Sequence, residues 1–232
     1  MSDMQVQVNW SLEVSKQFPA LTICVGAIRN IHNERANEKI EQIKKSVYEE
    51  VKTKYDIATL KDHPIVRAYR DFYWKLNIDP TKTRPSGEAL LRRVLHGEEL
   101  PKISTAVDAY NLVSMKTIIP ISGFDADCLN TPLEIRYSKN EEAFLGIGMN
   151  KPISLENTLV LADTKQVLCV YPYRDSEFTK ITMQTRNALI ISYGVPAVSE
   201  QQLKEAVEKT LTYIKQVSQG EIEEVKAFSS SH

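Results

Sequence analysis

Three short stretches of the 232-residue sequence carry more polar side chains than a fold needs. The first, Asp79 to Arg93 (DPTKTRPSGEALLRR), sets Thr81, Lys82, Thr83 and Arg84 in a loop leading into a helix start, with Arg92 and Arg93 further along. A helix N-terminus offers free N–H groups and the positive end of a dipole, so with added cations it could hold a phosphate or a carboxylate. A capped turn with solvated charges accounts for the same residues equally well. The second stretch, AVDAYNLVSMK followed by PISGFDAD, puts Asp108 and Asn111 one helical turn apart and Ser114 a further turn along. Ser122, Asp125 and Asp127 then sit in the loop beyond, and these groups could serve a pocket or tie that loop down. The third, Tyr171 to Thr182 (YPYRDSEFTKIT), gathers Arg174, Asp175, Ser176, Thr179 and Thr182 in a loop, the setting where binding and catalytic groups concentrate. An Arg–Asp pair there could also be a loop staple.

Other chemistries lack their residues. The four histidines, His32, His63, His96 and His232, show no metal-ligand spacing, so no metal site is expected. No GxxxxGK[ST] loop is present, and the pair Gly146 and Gly148 in LGIG lacks both a third glycine and a following helix, so no nucleotide cofactor is implied. There is no GxSxG elbow, and Cys24, Cys128 and Cys169 lie in or near apolar stretches, where they read as small buried hydrophobes. Covalent catalysis has no visible nucleophile.

The elements that must position the three stretches follow from periodicity. Ala20 to Ala27 reads as a buried strand and Glu34 to Lys54 as a helix with Ile40, Ile43, Val47 and Val51 on one stripe. His63-Pro64 opens a helix with Ile65, Tyr69, Phe72 and Leu76 inward, ended by Asn77 to Pro80. Ser86 can cap another, stopped by Gly97, and after Pro101 a helical stretch puts Ile103, Val107, Tyr110 and Ser114 on one side. From Leu133 the pattern changes to short β-type runs: LEIRYS (133–138), TLVLAD (158–163), QVLCVYP (166–172) and ALIISY (188–193). Ser199 with Gln202 forms a capping box for a closing amphipathic helix before Gly220. The expectation is a single α+β domain over residues 1–224, helices mostly first and packed on a mixed β-sheet, with a frayed tail at 225–232.

Composition sets outer bounds. With 42% hydrophobic and 25% charged residues and a net charge of -1, the chain can bury a sizeable core and has no strong field of its own for nucleic acid. Any RNA contact is expected to be local and weak. No apolar run approaches the length of a membrane helix and no basic-then-apolar leader is visible, so a cytoplasmic protein without a membrane partner is expected. The oligomeric state stays open.

Taken in order, HPIVRAYRDFYWKLNIDPTKTRPSGEALLRRVL, LPKISTAVDAYNLVSMKTIIPISGFDAD, LEIRY, LVLAD and RDSEFTKITMQTRNALI resemble the free-standing relatives of the tRNA-editing module of the phenylalanyl-tRNA synthetase β chain, which is made of its third and fourth domains. The resemblance covers about residues 60–195. It implies an α+β fold, a pocket in the sheet-containing half, and hydrolysis of a wrongly attached amino acid from tRNA. That ester cleavage needs a positioned water and oxyanion donors rather than a protein nucleophile. Against the synthetase pattern VDVTNYV, this chain has Tyr110 where the pattern has Thr and keeps Asn111. Against PLHAFD it has PISGFD, which puts Ser122 at the pocket His. Ile191 stands where a Glu reads the tyrosine hydroxyl, and an apolar side chain cannot accept that hydrogen bond, so specificity for tyrosine is not implied.

The resemblance thus implies a trans-acting editing hydrolase whose partners are a tRNA acceptor end and an amino-acid moiety. The expected catalytic set is Asn111, Ser122 and Asp175; Tyr110, Arg174, Ser176, Thr179 and Ile191 would bind substrate, and Lys82, Arg84, Arg92 and Arg93 would guide tRNA. The alternative is a non-catalytic tRNA- or amino-acid-binding module, motivated by the replaced His and Glu. The chain shows no ATP-binding motif and is not expected to be a complete aminoacyl-tRNA ligase.

Overall fold

The computed structural model describes residues 6–230; Ser231 and His232 of the expected tail lie outside them. The described residues open on β1 (Val8–Trp10) and α1 (Leu12–Gln17), capped by Ser11, which accepts the Val14 N–H. The predicted apolar strand is β2 (Thr22–Arg29), buried along most of its length. α2 (Glu38–Lys54) starts at Glu38 rather than Glu34 because Asn37 adopts an extended backbone and accepts the Ile40 N–H. α3 (Pro64–Lys75) begins where expected, with His63 as its cap and Pro64 at the first helical position.

α4 (Ser86–Leu95) departs from expectation at its start. Pro85 holds the cap position, Ser86 is already helical, and no side chain caps the end. In α5 (Thr105–Thr117) the cap is Ser104, which leaves Ile103 outside the helix and exposed rather than on its inner side. The PISGFDAD segment, expected as a loop, contains the strand β3 (Ile121–Asp125). After it come β4 (Leu133–Tyr137), β5 (Glu142–Phe144), β6 (Ile153–Leu155), β7 (Leu159–Ala162) and β8 (Val167–Val170). β9 (Arg174–Asp175) is a short strand inside the expected Tyr171–Thr182 loop, followed by β10 (Ala188–Tyr193). α6 (Glu200–Ser218) carries the predicted Ser199–Gln202 capping box, and β11 (Glu221–Ile222) and β12 (Lys226–Ser229) close the described chain.

The fold is α+β, but in place of the expected single mixed sheet the described residues form two five-stranded sheets and the two-stranded β5–β6. The first sheet has the order β1-β4-β7-β8-β9, with β1 parallel to β4 and the other pairs antiparallel. The second is β11-β2-β10-β3, wholly antiparallel, with β12 also on β2. Because β2 comes from the first half and α6 from the end, helices and strands are not divided between the halves. The tail is corrected too: Lys226 to Ser229 pair with Val25 to Thr22, and Ser230 Oγ donates to the Phe18 carbonyl at 2.6 Å. An unpaired β2 edge would leave backbone groups unsatisfied, and the tail supplies their partners.

Alternation along β10 sorts the layers. Ser192 donates to the Leu203 carbonyl of α6, and a Cβ at Gly26 would lie 2.7 Å from Leu211, so one face of the second sheet carries the helices. Tyr193, on the opposite face, packs edge-on against Tyr171 at 5.0 Å between ring centroids, so that face meets the first sheet. α3 closes one end, with Tyr69 Oη donating to the Tyr193 carbonyl and Phe72 against Tyr171. Cys24 and Cys169 are buried as expected, whereas Cys128 is exposed in a short turn. Among the described residues no helix is long and apolar enough to cross a membrane.

Candidate functional site

The second and third polar stretches meet at one hydrogen bond. Ser122 Oγ on β3 donates to Asp175 Oδ1 on β9 at 2.6 Å, joining residues 53 positions apart across the interface between the sheets. Ser122 reaches it because β3 is an edge strand whose register pairs Ser122 with Ile191, so both side chains leave the same face, the one toward the first sheet. Asp175 stands opposite Cys169 of β8. Burial pushes the Asp175 carboxyl up to about 6, against the downward pull of the Ser122 hydroxyl, the Cys169 thiol and the Arg174 charge. The result is an acid that is ionised near neutrality yet basic enough to take a proton.

Around this pair lie groups that composition did not single out. Tyr193 and Tyr73 are fully buried; the Tyr193 hydroxyl neighbours Ser122 and Cys169, and the Tyr73 hydroxyl has no hydrogen-bond partner among the described residues. Burial first and the neighbouring Cys169 second push both phenols up. The available signal for Tyr193 was its period-two spacing from Ile191 in ALIISY. Burial, then Asp175, also pushes the Cys169 thiol up, and burial pushes Cys24 to about 12, so neither is a thiolate nucleophile.

The remaining candidates fall into different places. Tyr110 lies on the helix side of the sheet: a Cβ at Gly123 would come within 2.7 Å of its ring, so glycine lets the ring lie directly on the edge strand. Burial and then the Asp175 charge push its phenol up, which links it to the pair around that edge. Asn111 is half-buried, with no side-chain hydrogen bond among the described residues, and α5 does not share a face with Asp175. The second and third stretches thus meet through Ser122 and Asp175 rather than through Asn111. Arg174 is exposed, its guanidinium donates to the Ile147 carbonyl at 3.2 Å, and its stem covers Gly146. Ser176 is a turn staple, accepting the Phe178 N–H at 3.2 Å. Thr179 is buried with its hydroxyl unpartnered among the described residues, beside the bridge from Lys180 to Phe124 that wraps this segment round the β3 edge. Ile191 is fully buried beside Ser122 on the neighbouring strand.

The basic candidates do not form an open patch. Arg92 is bound to Glu88 at 2.6 Å, and Arg93 pairs with Glu98 at 3.1 Å and the Glu99 carbonyl at 2.7 Å. Lys82 is exposed 3.9 Å from Asp79, and Arg84 is exposed. Glu88 is fully buried and also binds Arg70 of α3; burial raises its pKa, but the hydrogen bonds from Arg70 and Arg92 outweigh that and hold it below the usual range. The start of α4 is no open anion site either, since its first turn carries this acid and Gly87 packs against the Ile118 carbonyl, where a Cβ would meet the oxygen at 2.7 Å. Asn111, Ser122 and Asp175 do not line five of the cavities that open elsewhere among the described residues.

Residues 68–223 match the family described as B3/4 domain. The phenylalanine–tRNA ligase beta subunit of Haemophilus ducreyi is 28% identical over 88 residues, which are 38% of this chain and 11% of that subunit. An N-terminal fragment of the phenylalanyl-tRNA synthetase beta-subunit from Pyrococcus horikoshii has a similar fold, with a TM-score of 0.51 at 14% identity over 96% of this chain and 51% of the fragment. The chain thus spans about half of the solved fragment and about a tenth of the curated subunit.

Proposed function

The chain belongs to the B3/4 domain family, and on that premise we propose that it is a trans-acting editing hydrolase that removes a wrongly attached amino acid from tRNA in the cytoplasm. The observation that supports this most is the Ser122–Asp175 pair, a carboxyl that burial raises to about 6 and a hydroxyl orients. In the proposed reaction Asp175 takes a proton from a water as that water attacks the ester carbonyl. The bond to the terminal ribose oxygen then breaks, that oxygen is protonated, and free amino acid and tRNA leave. Ser122 keeps the carboxylate oriented, and Arg174, exposed beside the pair, binds the terminal phosphate. The buried Ile191 favours an apolar over a phenolic side chain in the substrate.

Incubating the protein with a panel of mischarged tRNAs tests the reading. Hydrolysis of at least one is expected, with Asp175→Asn slower by about 10²-fold or more, the usual worth of a general base. No acceleration over spontaneous deacylation for any tRNA overturns it. A second reading, a binding module without turnover, is favoured by Ser122 and Ile191, which stand where the resemblance has a His and a Glu. Thermal stabilisation by free amino acids or aminoacyl-nucleoside mimics, without hydrolysis, selects that reading.

A further inference from the structure

The groove between α2, α3, α5 and α6 is a cavity of about 620 Å³ on which charges converge from three helices. Lys54 at the end of α2, Lys116 near the end of α5 and Lys209 in α6 line it, with Tyr55, His63 and Glu205. Lys116 is held by Glu50 at 2.5 Å, and Glu205 receives Gln201 at 2.8 Å. Lys54 and Lys209 have no carboxylate partner among the described residues; each lies over a ring instead, Lys54 4.9 Å from the centroid of Tyr55 and Lys209 5.0 Å from that of Tyr213. Tyr55 and His63 pack edge to face at 5.6 Å, which places flat ring surface beside the lysines.

We propose that this cavity binds the phosphate backbone of an RNA strand, with the Tyr55–His63 ring pair offering a stacking surface to a base beside it. Two cations without acidic partners in a concave, ring-lined site match the chemistry of strand binding, in which basic groups track phosphates and aromatic faces take bases. Three helices each contribute one lysine, so the charge is distributed over the cavity, which suits successive phosphodiesters better than one isolated phosphate. The loop cations expected from the sequence are a poorer candidate, because Arg92 and Arg93 are already bound to Glu88 and Glu98. The field within the groove is registered by His63, which burial and then Lys54 hold below the ordinary histidine value. A bound polyanion opposes that field. The charged and titratable groups that share the groove with His63 are Lys54 at the end of α2, Tyr55 just after it, Lys116 of α5, and Glu205 and Lys209 of α6.

The test uses the full chain and an uncharged tRNA transcript, so that binding is read without deacylation. Lys54→Ala with Lys209→Ala is expected to weaken association about tenfold or more and to flatten the dependence of log Kd on log salt by about 2, one for each phosphate that no longer meets a lysine. Both side chains are exposed, so an unchanged circular dichroism spectrum accompanies the weaker binding. In the parent protein, tRNA is expected to raise the His63 titration midpoint followed by NMR. Equal affinity and salt slope in the double variant overturn the proposal, as does an unmoved His63 midpoint in the tRNA-bound parent. Displacement of tRNA by inorganic phosphate or a mononucleotide at concentrations as low as those of tRNA itself also overturns it, since the site would then be a free-phosphate site. tRNA binding that follows Lys54 and Lys209 while no mischarged tRNA is hydrolysed supports this inference and defeats the editing reading alone.

Discussion

Asp175 is a residue on which burial and hydrogen bonding act in opposite senses, and its titration exposes the balance. Its folded pKa of about 6 lies above the ordinary 3.8, so between those values the folded protein binds a proton that the unfolded chain has released. The sign follows: the stabilising contribution is complete below about 4, is lost as pH rises through 6, and is flat above. Relative to Asp175→Asn, which cannot ionise, the parent should lose about 3 kcal/mol across that window, at about 1.4 kcal/mol per unit. Urea midpoints of both proteins at several pH values measure it. A difference that does not change with pH would show that Asp175 titrates normally. The same residue illustrates what could be read in advance. Its surplus of polarity in YPYRDSEFTKIT was legible, whereas its partner was not, because nothing local relates position 175 to position 122.

At the scale of elements, the edges of the second sheet decide most of what differs from expectation. β3 is one edge, and the Lys180 bridge and the Tyr110 ring over Gly123 cover it. β2 is the long strand near the other edge, and β11 and β12 share it in sequence. A polar SSSH ending suggests a frayed tail, but the Ser230 hydroxyl accepts the Leu21 N–H at 3.1 Å and donates to the Phe18 carbonyl, and its own N–H reaches the Leu21 carbonyl at 2.9 Å. Ending the chain after Glu224 should therefore lower stability by at least about 3 kcal/mol, taking about 1 kcal/mol for each of these three bonds before the β12–β2 ladder is added. Chemical denaturation reads the change directly, and an unaltered midpoint would restore the frayed tail. α4 shows the same rule from the helical side: its buried Glu88 ties α3 to α4 through Arg70 and Arg92, which turns residues with the composition of an anion site into an interior ion pair.

For the whole molecule, the two sheets share one apolar cluster that runs from Val14 to Val217 and includes Phe18, Phe72, Tyr171 and Tyr193. Neither sheet can expose its inner face without opening that cluster, so both should unfold in one transition. In a Trp74→Phe variant Trp10 on β1 reports the first sheet by fluorescence, while far-ultraviolet circular dichroism reports the helices on the second. Coincident curves are expected; a separate Trp10 transition would divide the fold in two. Spacing along the chain was enough for the periodic elements, the His63-Pro64 and Ser199–Gln202 helix starts, the α+β class and the family resemblance. It took the folded chain to establish that Ser122 meets Asp175, that Tyr110 lies across the sheet from them, that Arg92 is spent on Glu88, and that Lys54 and Lys209 face one groove. Helix caps and strand alternation arise from neighbours in sequence, whereas desolvation, pairing and pKa depend on which groups folding brings together from distant segments.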